Sequence, residues 1–155
     1  MTKDESSKKQ IITKIKHGTV IDHLDADTVF KIVRILNLEK CTDQVTIGVN
    51  MRSSQINRKG IIKIENMFLS KEDVDKISLF SPHATINLIK DYEVDQKFEV
   101  EIPQKVSNVL KCNNPKCVTN LENERTLFIL HKKSPLEFIC KFCERRLLKN
   151  DLEVI

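Results

Sequence analysis

The chain has 155 residues and a formal net charge of +4, and 40% of its residues are hydrophobic, with one Tyr and no Trp. This length allows one domain or two small ones. The sequence holds no run of about 18 apolar residues, the length that a membrane helix needs, and its first ten residues are charged rather than signal-like. We therefore expect a cytoplasmic protein with reduced thiols and no membrane partner.

The first third of the chain predicts an arm, a strand and a helix. Residues 1–9 are polar and charged, which is typical of a terminal arm. Residues 11–21 are rich in β-branched side chains and predict a first strand, which polar groups then end. Asp25 is expected to cap a helix over residues 26–36. One face of that helix is apolar and predicts packing on a sheet, its members being Val29, Ile32, Val33 and Leu36.

The middle of the chain completes the pattern of an α+β domain. Residues 45–49 alternate between apolar and polar side chains, as a half-buried strand does, and residues 51–60 are expected to be a polar, basic connection. Ser70 and Asp73 form a capping-box start for a helix that runs to Phe80. Further strands are predicted at 61–68 and 84–89, and a last extended segment at 92–102. This order predicts a ferredoxin-like α+β sandwich over residues 1–103, with an antiparallel sheet and both helices on one face.

Four cysteines dominate the remaining residues, 104–155. Cys112 and Cys117 are separated by four residues, and Cys140 and Cys143 by two. Two short Cys loops at this spacing predict a tetrahedral Zn²⁺ site; the alternative is two disulfides, which a small secreted domain would favour. Four Cys ligands close the coordination sphere, so we expect a structural ion and no zinc enzyme chemistry. With short strands at 126–130 and 136–139, the second domain is predicted to be small and mostly β, and metal is expected to be required for its folding.

The other candidate residues carry weaker signals. Cys41 has no evident His partner, and we predict no catalytic residue in the chain. The three glycines, Gly18, Gly48 and Gly60, are too few for a phosphate-binding loop of the P-loop or dinucleotide type. A carboxylate and an imidazole adjoin at Asp22 and His23, where turn or capping roles are the commoner reading. A weak indication of an anion site comes from three lysines, Lys59, Lys63 and Lys97.

The C-terminal part is basic, with ten basic and six acidic side chains in residues 104–155. This charge suggests a rival function, a zinc-ribbon protein that binds nucleic acid. However, Glu137 and Glu144 are interspersed among the basic residues, and aromatic side chains are sparse. A solvated face or a protein-docking rim is the better interpretation, and we expect no nucleic-acid partner.

Several segments together resemble one known family, the regulatory chain of aspartate carbamoyltransferase. The matching segments are 18–23 (GTVIDH), 46–50 (TIGVN), 58–66 (RKGIIKIEN), 68–70 (FLS), 84–87 (ATIN), 92–94 (YEV), 108–110 (NVL) and both cysteine pairs. The resemblance implies a non-catalytic chain with an N-terminal allosteric domain that binds the nucleotides CTP, ATP and UTP. It also implies a C-terminal zinc domain, residues 104–155, that docks on the catalytic chain. Such regulatory chains pair through their allosteric domains, and three dimers bridge two catalytic trimers.

The resemblance also implies roles for single residues of this chain. Asp22 would lie on the ribose side of the nucleotide and His23 near its phosphates. Lys59 and Lys63 would face the base and ribose, and Lys97 the triphosphate. The remaining implied nucleotide contacts are Lys9 of the arm and the pocket residues Ile15, Asn87, Tyr92 and Val94. The implied metal ligands are Cys112, Cys117, Cys140 and Cys143.

Overall fold

The computed structural model describes residues 14–52 and 58–155, which form two antiparallel sheets and three α-helices. The first sheet contains β1 (Gly18–Asp25), β2 (Val45–Arg52), β3 (Arg58–Glu65), β4 (Thr85–Lys90) and β5 (Glu93–Glu99). The second contains β6 (Lys105–Ser107), β7 (Leu127–Lys133), β8 (Leu136–Cys140) and β9 (Arg146–Leu148). The helices are α1 (Val29–Ile35), α2 (Lys71–Phe80) and α3 (Val118–Leu121). No helix within the described residues is long and apolar enough to span a membrane.

The first sheet has the strand order β2-β3-β1-β4-β5. Its first four strands follow the ferredoxin-like arrangement, and β5 adds an edge strand beside β4. Apolar side chains on one face of the sheet pack against both helices, and Ile21, Ile62 and Ile86 are fully buried there. Val29 and Ile32 of α1 and Ile77 of α2 close this core. The predicted α+β class and the one-sided placement of the helices are therefore confirmed.

The first strand begins later than predicted and is irregular. It starts at Gly18 rather than at Ile11; residues 11–13 lie outside the described residues, and 14–17 are not strand. Gly18 has φ +143°, and a Cβ there would collide with the carbonyl oxygen of Ile64. The register shifts between Ile21 and Leu24, where His23 has φ 56°. The strand therefore continues through Asp22 and His23, and the shift changes the direction in which its polar side chains project.

The predicted cap at Asp25 is wrong. Residues Ala26–Thr28 form a 3-10 turn before α1, and the Asp25 side chain caps neither segment. Its backbone N–H instead donates to Ser81 Oγ at 3.2 Å, and its carbonyl accepts from Thr28 Oγ1 at 2.8 Å. Tertiary contacts to the segment after α2 have replaced the local cap.

Helix α2 begins as predicted and packs against both sheet domains. The Ser70 side chain accepts from the Asp73 N–H at 3.1 Å, and Asp73 accepts from the Ser70 N–H at 3.1 Å, so the capping box is confirmed. At the other end of the helix, Leu79 and Phe80 are buried in the core of the second sheet, whereas Ile77 belongs to the first core. One helix therefore contributes to both hydrophobic cores.

The second sheet has the order β6-β7-β8-β9. Phe128 of β7, Phe138 of β8 and Leu147 of β9 are fully buried at its centre. The predicted strands at 126–130 and 136–139 correspond to β7 and β8, and β7 runs three residues further than predicted. Sequence reasoning missed β6, β9 and α3, which are only three or four residues long and have no readable periodicity.

Candidate functional site

One polar row crosses the face of the first sheet that the helices leave open. Val20 lies opposite Lys63 of β3 on one side and opposite Asn87 of β4 on the other, and Asn87 lies opposite Lys97 of β5. Directly opposed residues in antiparallel strands project to the same face. Two lysines and an amide that are far apart in sequence are thereby aligned across four strands.

An ion pair lies next to this row. Lys59 Nζ is 2.8 Å from Asp22 Oδ1, and both side chains are about four-fifths buried. The same carboxylate oxygen accepts the backbone N–H of His23 at 2.7 Å. His23 Nδ1 in turn lies 3.1 Å from Thr85 Oγ1 at the start of β4. These contacts fix Asp22 and His23 relative to three strands of the sheet.

Neighbouring charges and burial shift the pKa values of two groups on the open face. Burial raises the pKa of Asp22, but the hydrogen bonds from Lys59 and from the His23 N–H outweigh it, and the pKa lies below its ordinary value of 3.8. Burial lowers the pKa of Lys63 from 10.5, Asp22 partly opposes this effect, and Lys14 adds to it. The carboxylate at Asp22 is therefore ionised at neutral pH, among lysines on a partly desolvated surface.

An apolar cluster adjoins the charged groups on the same face. Ile15, Val20, Ile61 and Ile89 are buried together, with Met51 packed against them. Val94 of β5 lies opposite Ile89 and is 57% exposed. The open face thus combines an apolar floor with cationic side chains, which suits a ligand that has both a ring system and negative charge.

The predicted nucleotide residues mostly converge on this face. Asp22 pairs with Lys59 beside the polar row, His23 follows Asp22 in β1, and Ile15 and Val94 lie at the apolar cluster. Tyr92 is 59% exposed in the turn between β4 and β5, and its N–H donates to the Lys16 carbonyl at 3.0 Å. Lys9 lies outside the described residues.

Sequence reasoning missed two residues of the open face, Lys14 and Thr85. Lys14 is close enough to lower the pKa of Lys63, and Thr85 lies opposite Asp22 in the sheet and contacts the His23 ring. Thr85 is placed there by the antiparallel pairing of residues 18–22 with 85–89, which the predicted strands do not specify. For Lys14 the sequence carries no comparable signal.

The four cysteines of the second domain meet at one point. Cys112 Sγ lies 3.6 Å from Cys143 Sγ, and Cys117 Sγ lies 3.9 Å from Cys140 Sγ. All four sulfurs lie within 4.8 Å of one another. Sulfurs bound tetrahedrally at about 2.3 Å from one ion are separated by about 3.8 Å, whereas a disulfide bond is about 2.05 Å long. The geometry therefore fits a shared metal ion.

Backbone and side-chain contacts hold this centre in shape. Thr119 Oγ1 donates to Cys117 Sγ at 3.2 Å, and Asn120 Nδ2 donates to the carbonyls of Cys112 and Asn114 at 2.9 and 2.8 Å. Both donors belong to the short helix α3, which the sequence did not reveal. They fix the first cysteine loop, as outer contacts commonly do around protein metal sites.

The thiols differ in acidity within this cluster. Burial raises the pKa of Cys112 to about 12 and also raises that of Cys140. For Cys143 burial has the same direction, but hydrogen bonds from the Arg145 backbone and from Asn114 outweigh it, and the pKa is lowered to about 7. Metal binding must displace protons from the buried thiols, so it depends on pH.

The fold and these two sites define a class of protein. A sheet domain with a basic, partly apolar open face is joined through a shared helix to a β domain built around four cysteines. Such a chain combines an α+β sheet domain with a small β domain whose four cysteines are placed to hold one metal ion.

Comparison with known proteins specifies the family. Residues 10–101 match the family model described as aspartate carbamoyltransferase regulatory chain, allosteric domain. Residues 104–153 match the model of the same chain's metal binding domain. The aspartate carbamoyltransferase regulatory chain of Pyrococcus horikoshii is 42% identical over 143 residues, which is 91% of this chain and 94% of that protein. The regulatory chain of Bacteroides fragilis is 40% identical over 144 residues, covering 93% and 94%.

The chain therefore belongs to the family of aspartate carbamoyltransferase regulatory chains. This confirms the resemblance drawn from the sequence. It also confirms that the C-terminal third is a metal-binding domain, with four cysteines placed for the ion.

Proposed function

We propose that the chain is a non-catalytic regulatory subunit of aspartate carbamoyltransferase. In this proposal, residues 1–103 bind CTP, ATP and UTP as competing effectors. Residues 104–155 hold one structural Zn²⁺ and contact the catalytic chain. The observation that carries the proposal is the polar row on the open sheet face, which runs beside the Asp22–Lys59 pair.

The dimensions of the polar row favour an elongated anion. Lys63 and Lys97 are three strand steps apart, which is about 14 Å at the usual strand spacing. Between them lie Val20, which belongs to the adjoining apolar cluster, and Asn87, whose amide can both donate and accept hydrogen bonds. A nucleoside triphosphate has a ring, hydroxyl groups and a charged tail that match these elements in turn.

Binding without turnover suits the same face. Within residues 14–52 and 58–155, the one group of three or more His, Cys, Asp or Glu placed to hold a metal is the cysteine centre. Nucleotide hydrolysis commonly uses Mg²⁺ held by carboxylates beside the phosphates. An effector site needs differential affinity for two states of the enzyme rather than chemistry.

Zinc is the ion that best suits the cysteine centre. Four thiolates in a closed tetrahedron are typical of structural Zn²⁺ sites, and the sulfur separations agree with that coordination. Such an ion supplies folding free energy and leaves no open position for a reactive water.

Partner contacts are proposed on exposed apolar residues of each domain. Around the metal domain, Leu121, Phe142 and Leu148 are 69%, 48% and 50% exposed, and we assign them to the catalytic-chain contact. In the first domain, β2 is an edge strand with Ile47 39% exposed, and it is available for pairing two regulatory chains. Three such dimers would bridge two catalytic trimers. The absence of a nucleic-acid partner stays a prediction.

Calorimetric titration of the zinc-loaded chain with CTP and ATP tests the effector site. We expect one competitive site and no hydrolysis. Lys97→Ala should weaken binding about ten- to a hundredfold, because a charge-assisted contact is lost. Lys90→Ala is the matched control, since Lys90 is exposed and pairs only loosely with Asp95 at 3.6 Å. Equal binding by both variants would contradict the assignment.

Reconstitution with the catalytic chain tests the metal domain. Cys112→Ser should abolish zinc binding and co-elution with catalytic trimers, because three ligands remain in a site built for four. Cys41→Ser makes the same chemical change at a thiol packed against the first core and should leave assembly intact. Co-elution of the Cys112→Ser chain would contradict the proposed role of the ion.

A further inference from the structure

A cavity of about 540 Å³ lies where the two domains meet, away from the open sheet face. Its apolar walls come from both sides of the junction. Leu79 belongs to α2, Ile102 to the segment before β6 and Leu136 to β8, and a proline from each domain adds to these walls. This volume is typical of small-molecule sites in proteins, which lie preferentially between domains.

Three basic side chains line the cavity beside its apolar walls. His83, Lys133 and Lys149 line it and are exposed, and no acidic side chain is among the lining residues. Within the described part of the chain, none of the three forms an ion pair within 4.0 Å. Acidic residues lie in an adjoining groove, which shares Ile102 and Lys133 with the cavity.

We propose that this interdomain cavity is a second ligand site, which takes an amphipathic anion with an apolar body and one anionic head group. The apolar body would contact Leu79, Ile102 and Leu136, and the head group would contact Lys133 and Lys149. None of the residues predicted to bind nucleotide lines the cavity, so the ligand would not compete for the open sheet face. The proposal does not depend on nucleotide binding.

The cavity walls are firmly attached to each domain. Ser81 precedes the wall formed by residues 82–83, and its hydroxyl lies 3.2 Å from the Asp25 N–H donor and 2.7 Å from Thr28 Oγ1. The opposite wall is the turn between β7 and β8, whose strands belong to the second sheet. A ligand in the cavity would therefore contact both domains at once.

The test uses the full, metal-loaded chain and decanoate as the probe, with decanol as the neutral match. We expect one saturable decanoate site, with amide shifts in NMR spectra at Leu79, Ile102 and Leu136. Because the head group contributes about one charge-assisted contact, decanol should bind about tenfold more weakly. Decanol binding as tightly as decanoate would overturn the assignment of the head group.

Variants that remove lysine charges test whether decanoate binds in this cavity. The double substitution K133Q/K149Q should weaken decanoate binding about tenfold, since two exposed lysines each contribute a fraction of that effect. The matched control K105Q/K132Q removes the same charge from the same domain outside the cavity, and it should leave the affinity unchanged. All four lysines are exposed, so the variants should fold. Equal weakening in both double variants, shifts elsewhere on the chain, or no saturable binding would each overturn the proposal.

Discussion

The close approach of β3 to α1 at Gly60 offers a sharp test of the packing in the first domain. A Cβ placed on Gly60 would lie well inside van der Waals contact with Val29 Cγ2, and 3.4 Å from Leu24 Cβ. Val29 is fully buried at the start of α1. Because a β-branched side chain in a helix has one strongly preferred rotamer, Val29 cannot easily swing away. Gly60→Ala therefore forces the helix and the strand apart.

The expected cost follows from two opposing effects. Overpacking a core by one methyl group costs about 1–3 kcal/mol. Replacing glycine inside a strand recovers about 0.5–1 kcal/mol, because the unfolded chain loses conformational freedom. We expect Gly60→Ala to lower the free energy of unfolding by about 1–2 kcal/mol. Val29→Ala alone should cost about 2–3 kcal/mol, from two lost methyl groups and the space they leave.

The double variant separates steric conflict from other causes. In Val29→Ala/Gly60→Ala the new methyl group occupies the space that Val29 vacates, so the combined cost should fall short of the sum by about 1–2 kcal/mol. Urea unfolding of the metal-loaded chains, monitored by circular dichroism, gives the stability change of each single variant and of the double variant. The comparison holds if the free energy of unfolding depends on urea concentration with the same slope in each chain. If the costs of the two single substitutions add up to the cost of the double variant within about 0.5 kcal/mol, the steric conflict between Val29 and a methyl group at position 60 is refuted.

Three further substitutions test the ion pair, the helix cap and the second core. The pKa of Asp22 is depressed in the folded chain, so its contribution to stability is present above pH 3.8 and is lost as the pH falls through the folded value. In acid titrations, Asp22→Asn should abolish that part of the stability loss. The prediction is contradicted if the variant and the parent chain differ in free energy of unfolding by the same amount at pH 7 and at pH 3. Ser70→Ala should cost about 1 kcal/mol in urea unfolding through the lost cap, and no change would mean that the capping box is not formed in solution. Phe128→Ala should cost about 3–5 kcal/mol, because Phe128 is fully buried in the second core. A thermal midpoint within a degree of the parent would be incompatible with that burial.

Local signals made much of this fold predictable. The capping box at Ser70 involves residues only three apart, and the apolar alternation around Ile62 and Ile64 reports burial on one face of a strand. The features that could not be predicted depend on contacts between residues that are distant in the sequence. The Asp25 side chain does not act as a cap, and its backbone N–H donates to Ser81, which is 56 residues away. Strand β5 is exposed along its whole length, so the sequence predicted its extended character within 92–102 but not its exact bounds.

The nucleotide residues could be assigned only through family resemblance, and the structure explains why. Lys63, Asn87 and Lys97 are aligned by strand register, which no local pattern encodes. His23 contacts Thr85 because its backbone has φ 56° at a register shift, and no sequence pattern predicts that shift. The cysteine centre differs, because short spacings within each pair already restrict its geometry.

Helix α2 contributes side chains to both hydrophobic cores, and this affects how the two domains can move relative to each other. Ile77 is buried in the first core, whereas Leu79 and Phe80 are buried in the second, and Lys31 of α1 lies 4.3 Å from the centre of the Phe80 ring. Rotating the domains about residues 103–104 would expose these two side chains, at a cost of about 1.5–3 kcal/mol for each. Typical coupling free energies between allosteric sites are about 1–3 kcal/mol. Separating the domains therefore requires a partner or ligand that offsets this cost, and α2 is a direct structural connection between the first core and the metal domain.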